Sequence, residues 1–129
     1  MNTKLLMASS ALAMAAAGIA GSFLPHELLG WLGVTQNGIL PIVMQLYAAL
    51  LLGFAAVNWM GKESLIGGIY NRPVAVGNLM HFVIGAITLI KYIIGGGALP
   101  LHVIVAASLY ALFAVGFAVV MFGSPVKPV

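Results

Sequence analysis

The residues best suited to chemistry are polar side chains that interrupt the long apolar segments of the sequence. Asn78, His81 and Thr88 follow a spacing of i, i+3 and i+10, which places them on one face of a helix. Lys91 lies on the flank of that face, and Gln45 in the preceding apolar segment falls at about the depth of Thr88. Since polar groups in a bilayer rarely face lipid, these five residues form the candidate ligand-binding site.

His81 has three interpretations, because it falls near the middle of its segment. The first is a neutral imidazole hydrogen-bonded in the core, and the second is a proton-relay or ligand-binding group. The third, haem ligation, needs another axial histidine at similar depth, whereas His26 and His102 lie at the ends of their segments.

For Lys91 two interpretations stay open. Its charge reaches the lipid headgroups, or it lies in a cavity and pairs with Glu27 or an anionic headgroup.

A metal site is a separate hypothesis for the side of the membrane opposite the termini. His26, Glu27 and His102 are expected there, and two histidines with a carboxylate are acceptable zinc ligands. Their spacing follows no known metal motif, and histidines are common at membrane interfaces, so this hypothesis is the weaker one. The only bound cofactor that the sequence suggests is a lipid.

No catalytic constellation is evident in the sequence. It has no cysteine, which excludes disulfides, iron–sulfur clusters and thiolate metal sites. No carboxylate falls within the apolar segments, although a proton-coupled exporter of this size normally needs one. An HExxH motif, a nucleophile–base pair and a glycine-rich phosphate loop are also missing, so we predict a non-catalytic protein and leave the question of an enzyme open.

The composition is that of a membrane protein. Of the 129 residues, 63% are hydrophobic and 5% are charged, whereas a water-soluble domain carries about a quarter charged residues. Such a surface is stable against hydrocarbon tails, so membrane lipids are the expected partners. The basic residues are scattered without interleaved aromatics, which argues against nucleic acid as a partner.

Four apolar stretches, about 3–24, 39–60, 73–94 and 100–122, are long enough to cross ~30 Å of hydrocarbon as helices. The first leads directly into Phe23 and Leu24, which favours a retained helix over a cleaved signal peptide. A short amphipathic helix around Trp31 is expected at the interface between the first and second spans. The predicted fold is therefore all-α, a four-helix transmembrane bundle with an interfacial helix, forming a single integral membrane domain over residues 1–129.

The basic residues predict the orientation of the spans. With four spans, Lys4, Lys62, Arg72 and Lys127 fall on one side of the membrane, and Lys91 lies towards the other. The positive-inside rule then puts both termini in the cytoplasm. We therefore expect a multi-pass protein of a bacterial inner membrane.

Two stripes of small residues predict close helix packing, because small side chains let helix backbones approach each other. One stripe lies on the fourth span and the other on the first. They comprise Ala107, Ala111, Ala114 and Ala118, and Ser9, Ala13, Ala16 and Ala20. Packing within the bundle is the simpler interpretation, and an interface with another subunit is the alternative.

Three short stretches carry a resemblance to a known group of proteins. They are residues 30–34 (GWLGV), 52–59 (LGFAAVNW) and 77–81 (GNLMH). This pattern of Gly, Asn and Trp on apolar helices resembles small uncharacterised bacterial four-helix membrane proteins of the DoxX-like type. The resemblance covers the second and third spans and their ends; it implies the four-helix fold and carries over no catalytic residue.

Three functions are compatible with these features. The leading hypothesis is a non-catalytic subunit or scaffold of a larger or homo-oligomeric membrane complex, which packs against other membrane subunits or its own copies. The first alternative is a lipid- or isoprenoid-binding protein or enzyme with a polar site around His81. The second alternative is a small oligomeric channel or transporter.

Overall fold

A computed structural model describes residues 2–123 of the chain. Within that range the chain forms five helices: α1 (Thr3–Phe23), α2 (Pro25–Trp31), α3 (Leu40–Gly61), α4 (Arg72–Ile94) and α5 (Leu101–Phe122). All of them except α2 are long and apolar enough to cross a membrane. The predicted all-α fold, a four-helix transmembrane bundle with one short extra helix, is confirmed, and the chain is an integral membrane protein.

The long helices begin and end within one residue of their expected bounds. Prolines explain most of these positions. α1 stops at Phe23 because Pro25 opens α2 in its first turn, where a missing N–H breaks no helical hydrogen bond. Pro41 and Pro73 lie in the first turns of α3 and α4 for the same reason. Gly96 follows α4 with a φ of 82°, a left-handed conformation that glycine adopts without strain.

The chain divides into two compact units. The amino-terminal unit contains α1 from Met7 onward together with α2 and α3. The carboxy-terminal unit contains α4 and α5 together with the first residues of the chain. The assignment of residues 1–129 to a single domain stays a prediction, and residues 1 and 124–129 lie outside the described range.

In the amino-terminal unit, α1 and α3 run antiparallel and approach closely. Ser10 near the start of α1 is hydrogen-bonded to Asn58 near the end of α3. Gly18 lies at the closest approach: a Cβ atom there would lie 2.7 Å from Cγ of Leu52 and 3.0 Å from the carbonyl oxygen of Ala48. The missing side chain therefore lets the two backbones meet, as small residues do in other membrane helix pairs.

The connection from α2 to α3 is held by the side chain of Gln36. Its Nε2 donates a hydrogen bond of 2.8 Å to the carbonyl oxygen of His26, and its Oε1 lies 2.9 Å from Nδ1 of the same histidine. Gly33 has a φ of 71° and lets the chain turn, so that the N–H of Val34 donates to the carbonyl oxygen of Leu29 at 3.0 Å. These hydrogen bonds hold the segment after α2 against α2 itself.

In the carboxy-terminal unit, α4 and α5 pack through aromatic side chains. Phe82 of α4 is buried, and its ring centroid lies 5.4 Å from that of Tyr110, 4.9 Å from that of Phe113 and 5.7 Å from that of Phe117. These separations are in the range of favourable aromatic pairs. Gly85, one turn after Phe82, lies directly beside Tyr110, because any Cβ atom there would overlap the tyrosine ring.

Burial distinguishes the two predicted stripes of small residues. On α5, Ala107 and Ala114 are buried and Ala111 and Ala118 are half-buried, as packing within the molecule requires. On α1, Ala16 is exposed and the other three members of the stripe are half-buried. The buried face of α1 instead carries Met7, Ser10, Ala11, Met14, Gly18 and Gly21. The predicted α1 stripe therefore lies beside the face that packs in this chain.

Replacing Gly85 by alanine is expected to destabilise the protein by about 1–3 kcal/mol, the usual range for overpacking a filled site. The new methyl group must displace the ring of Tyr110. Gly38→Ala is the control, because a Cβ atom there meets no atom within 4 Å and the change should raise the free energy of unfolding by about 0.4–1 kcal/mol. The free energy of unfolding in mixed detergent micelles measures both, and equal values for the two variants would contradict the close contact.

Candidate functional site

The polar residues of α4 differ in their surroundings. Asn78 is fully buried, and its Nδ2 donates to the carbonyl oxygen of Val74 at 2.9 Å. Thr88 is exposed, and its hydroxyl donates to the carbonyl oxygen four residues earlier at 2.8 Å. Lys91 is exposed in the last turn of the helix. Asn78 therefore belongs to the interior of the protein, whereas Thr88 and Lys91 lie on its surface.

His81 forms a polar pair with Tyr110 of α5. His81 Nε2 lies 3.1 Å from Tyr110 Oη, and the tautomer of the imidazole decides which group donates. The histidine is half-buried, and its ring meets that of Phe82 edge-on at 5.1 Å between centroids. This is the geometry expected for the first interpretation of His81, a hydrogen-bonded imidazole between helices. A role in proton relay or ligand binding stays a prediction.

Gln45 lies in the amino-terminal unit, on an exposed side of α3. Its Nε2 donates to the carbonyl oxygen of Ser22 in α1 at 3.3 Å. Of the five predicted site residues, the structure places Asn78 and His81 one turn apart on the inner side of α4 and leaves the other three exposed. Ligand binding by this set of five is therefore still a prediction.

The most buried polar pair, Ser10 and Asn58, is not among the predicted site residues. Asn58 Nδ2 donates to Ser10 Oγ at 3.0 Å and lies 3.9 Å from the sulfur of Met14. Ser10 Oγ in turn donates to the carbonyl oxygen of Met7 at 3.0 Å. The sequence alone does not single out Asn58, because the stripe at i, i+3, i+7 and i+10 that it continues is recognised only by its burial in the structure. The earlier members of that stripe are Ala48, Leu51 and Ala55.

Hydrogen bonding of the buried polar side chains is complete within residues 2–123. Every buried side-chain nitrogen and oxygen in that range has a partner. Because the hydrocarbon core of a bilayer offers no hydrogen-bonding groups, the protein itself must supply these partners. The buried amides of Asn58 and Asn78 and the hydroxyl of Ser10 therefore have a structural role.

His26, one of the residues considered as a zinc ligand, is paired with a glutamine. Nδ1 of His26 faces Oε1 of Gln36 at 2.9 Å. Over the described part of the chain, no group of three or more His, Cys, Asp or Glu residues is arranged to hold a metal ion. The zinc hypothesis for His26, Glu27 and His102 therefore gains no support.

An apolar groove of about 320 Å³ opens between α1 and α3, and we call it the α1–α3 groove. It is lined by Ala11, Leu12, Ala15, Leu52, Ala55, Ala56 and Trp59. Lys62 lies one turn beyond Trp59, and its Nζ is 3.0 Å from the centroid of the tryptophan ring. This contact is a cation–π interaction, which holds the ammonium group at the Trp59 end of the groove.

Comparison with known proteins adds no family to these observations. The chain matches no protein-family model, no curated protein and no solved structure. The resemblance to DoxX-like membrane proteins therefore stays a prediction, and function has to be argued from the geometry of this chain.

Replacing Asn58 by alanine is expected to lower the free energy of unfolding, because it leaves a cavity and removes the hydrogen bond that Ser10 Oγ accepts. A double-mutant cycle with Ser10→Ala isolates the pair, whose coupling should be about 0.6–2 kcal/mol. Asn37→Ala, at an exposed position between α2 and α3, is the control and should change stability by less than about 0.5 kcal/mol. A coupling energy near zero would show that the pair does not join α1 to α3.

Proposed function

We propose that this chain is a non-catalytic subunit or scaffold of a membrane complex, and that it associates through the outer face of α3. The observation that carries this proposal is an exposed stripe at i, i+4 and i+8 on a membrane-spanning helix, formed by Gln45, Ala49 and Gly53. A Cβ atom at Gly53 would meet nothing within 4 Å, so the backbone is uncovered there. We call these three residues the α3 outer stripe.

The physics of helix association in lipid supports this proposal. Two small residues four positions apart let a second helix approach the backbone closely, and van der Waals contact then holds the two helices together. Large exposed side chains lie nearby on α3, since Leu46 and Leu50 are 64% and 65% exposed. The small stripe is therefore lower than the leucines beside it, and a ridge of a partner helix can pack against it.

Gln45 adds a polar contact to the same face. It lies five residues after the start of α3, about 7 Å into the span, where the rise is 1.5 Å per residue. Its Nε2 donates to the carbonyl oxygen of Ser22 at 3.3 Å, and the side chain is exposed. An amide oxygen also accepts hydrogen bonds, which a partner helix can donate and lipid tails cannot. Because closed homo-oligomers are the commonest assemblies, a second copy of the chain is the first partner to test.

Replacing Gly53 by leucine should weaken self-association by about tenfold or more, the equivalent of about 1.4 kcal/mol. The leucine side chain would stand above the stripe and hold the partner backbone away. The mass of the full chain in a mild detergent, measured by light scattering over a dilution series, gives the dissociation constant. Val115→Leu adds a larger side chain at a 64% exposed position of α5 and should leave association unchanged.

Two outcomes would contradict the proposal. One is a parent chain that runs as a monomer at all concentrations with no copurifying partner. The other is a Gly53→Leu variant that associates as tightly as the parent chain.

The proposed location is a bacterial inner membrane with both termini in the cytoplasm. Lys4 near the start of α1, and Lys62 and Arg72 on either side of the α3–α4 connection, support this orientation through the positive-inside rule. Lys127, the fourth residue of that argument, lies outside the described residues.

Single cysteines can test the orientation, because the chain has none of its own. Ser64→Cys lies in the α3–α4 connection and Leu99→Cys in the α4–α5 connection, and both positions are exposed. A membrane-impermeant maleimide added to intact cells with a permeable outer layer should label Cys at position 99, and position 64 only after lysis. The reverse pattern would place both termini outside the cytoplasm.

A further inference from the structure

We propose that the α1–α3 groove binds an anionic phospholipid from the membrane leaflet on the side of Lys62. One acyl chain would lie in the groove, and the headgroup phosphate would meet the ammonium group of Lys62. None of the three residues of the α3 outer stripe lines the groove, and the proposal does not depend on the chain being a subunit.

The lining of the groove is suited to an acyl chain. Four of its seven lining residues are alanines, and the others are two leucines and Trp59. These side chains present hydrocarbon, apart from the indole N–H, so the groove favours a hydrocarbon occupant. Along α3 the lining runs from Leu52 to Trp59, a length of about 10 Å at 1.5 Å per residue.

The groove has room for part of one acyl chain. Its volume is about 320 Å³, and its lining extends about 10 Å along α3. One extended hydrocarbon chain can lie along this length.

Charge at one end of the groove selects the headgroup. The Nζ atom of Lys62 is held 3.0 Å from the centroid of the Trp59 ring, so the cation lies directly beside a residue of the groove lining. Tryptophan rings concentrate at the level of lipid headgroups, and basic residues at helix ends attract anionic lipids. A lipid whose chain enters the groove beside Trp59 therefore brings its phosphate to Lys62.

The two parts of the site lie on a single rigid scaffold. Leu52, Trp59 and Lys62 belong to one helix and its C-cap, and α1 supplies the opposite wall at Ala11 and Ala15. The hydrogen bond between Ser10 and Asn58 fixes the register of these two helices. The position of the Lys62 ammonium group relative to the groove is therefore already defined in the lipid-free protein.

Quenching of Trp59 fluorescence tests the proposal directly. The chain has two tryptophans, so Trp31→Phe leaves Trp59 as the only reporter. The full chain is reconstituted in bilayers that contain phosphatidylglycerol or phosphatidylcholine with identical brominated chains. Phosphatidylglycerol should quench Trp59 at about fivefold lower mole fraction than phosphatidylcholine, the preference that one lysine near a membrane surface gives.

Two variants and one control separate the contribution of the lipid headgroup from that of the acyl chain. Lys62→Gln should abolish the preference, while Lys91→Gln, which removes an exposed lysine from the end of α4, should leave it unchanged. Ala56→Leu should reduce quenching by both lipids, because its larger side chain fills the groove.

Three results would overturn the proposal. The first is equal quenching by both lipids, which would show ordinary boundary lipid. The second is a Lys62→Gln variant that keeps the preference. The third is an Ala56→Leu variant that changes the oligomeric state without changing quenching, which would show that a protein helix occupies the groove. The Gly53→Leu variant keeps this lipid preference even where it loses self-association, so the two proposals fail independently.

Discussion

The hydrocarbon core of a membrane offers no hydrogen-bonding partner, and this constraint governs the polar interior of the protein. Backbone groups satisfy it by forming helices over most of the described chain. Side chains satisfy it by local or interhelical hydrogen bonds, as Asn58 does with Ser10 and Asn78 with a carbonyl oxygen of its own helix. A polar residue whose position in a span suggests a function can therefore have a purely structural role.

The helices themselves are largely predictable from the sequence, because they depend on local chemistry. Apolar length determines which segments can span a bilayer, and prolines such as Pro25 and Pro73 determine where they start. Both kinds of information are present in the residues of each segment. For the same reason the short helix expected between the first and second spans is found there, at Pro25–Trp31.

The site residues are less predictable, because they depend on the rotation of each helix about its axis. In an alanine-rich helix such as α1, small residues recur at four-residue spacing on more than one face. Spacing alone therefore cannot show that the face with Gly18 is buried and that the stripe with Ala16 is not. The hydrogen-bond partner of His81 is not predictable from the sequence either, because Tyr110 lies 29 residues away on another helix. On α3, burial shows what the sequence does not, namely that Asn58 faces inward while Gln45 and Gly53 face outward.

Hydrogen bonds at both ends of the α1–α3 pair have a mechanical consequence. Asn58 bonds Ser10 near one end of the pair, and Gln45 bonds the carbonyl oxygen of Ser22 near the other, about 18 Å further along α1. A sliding motion of one helix past the other would break both bonds at once, so the pair resists piston-like displacement. When the pair tilts in a thinner bilayer, the two helices tilt together, so that the tilt of α1 is passed to α3.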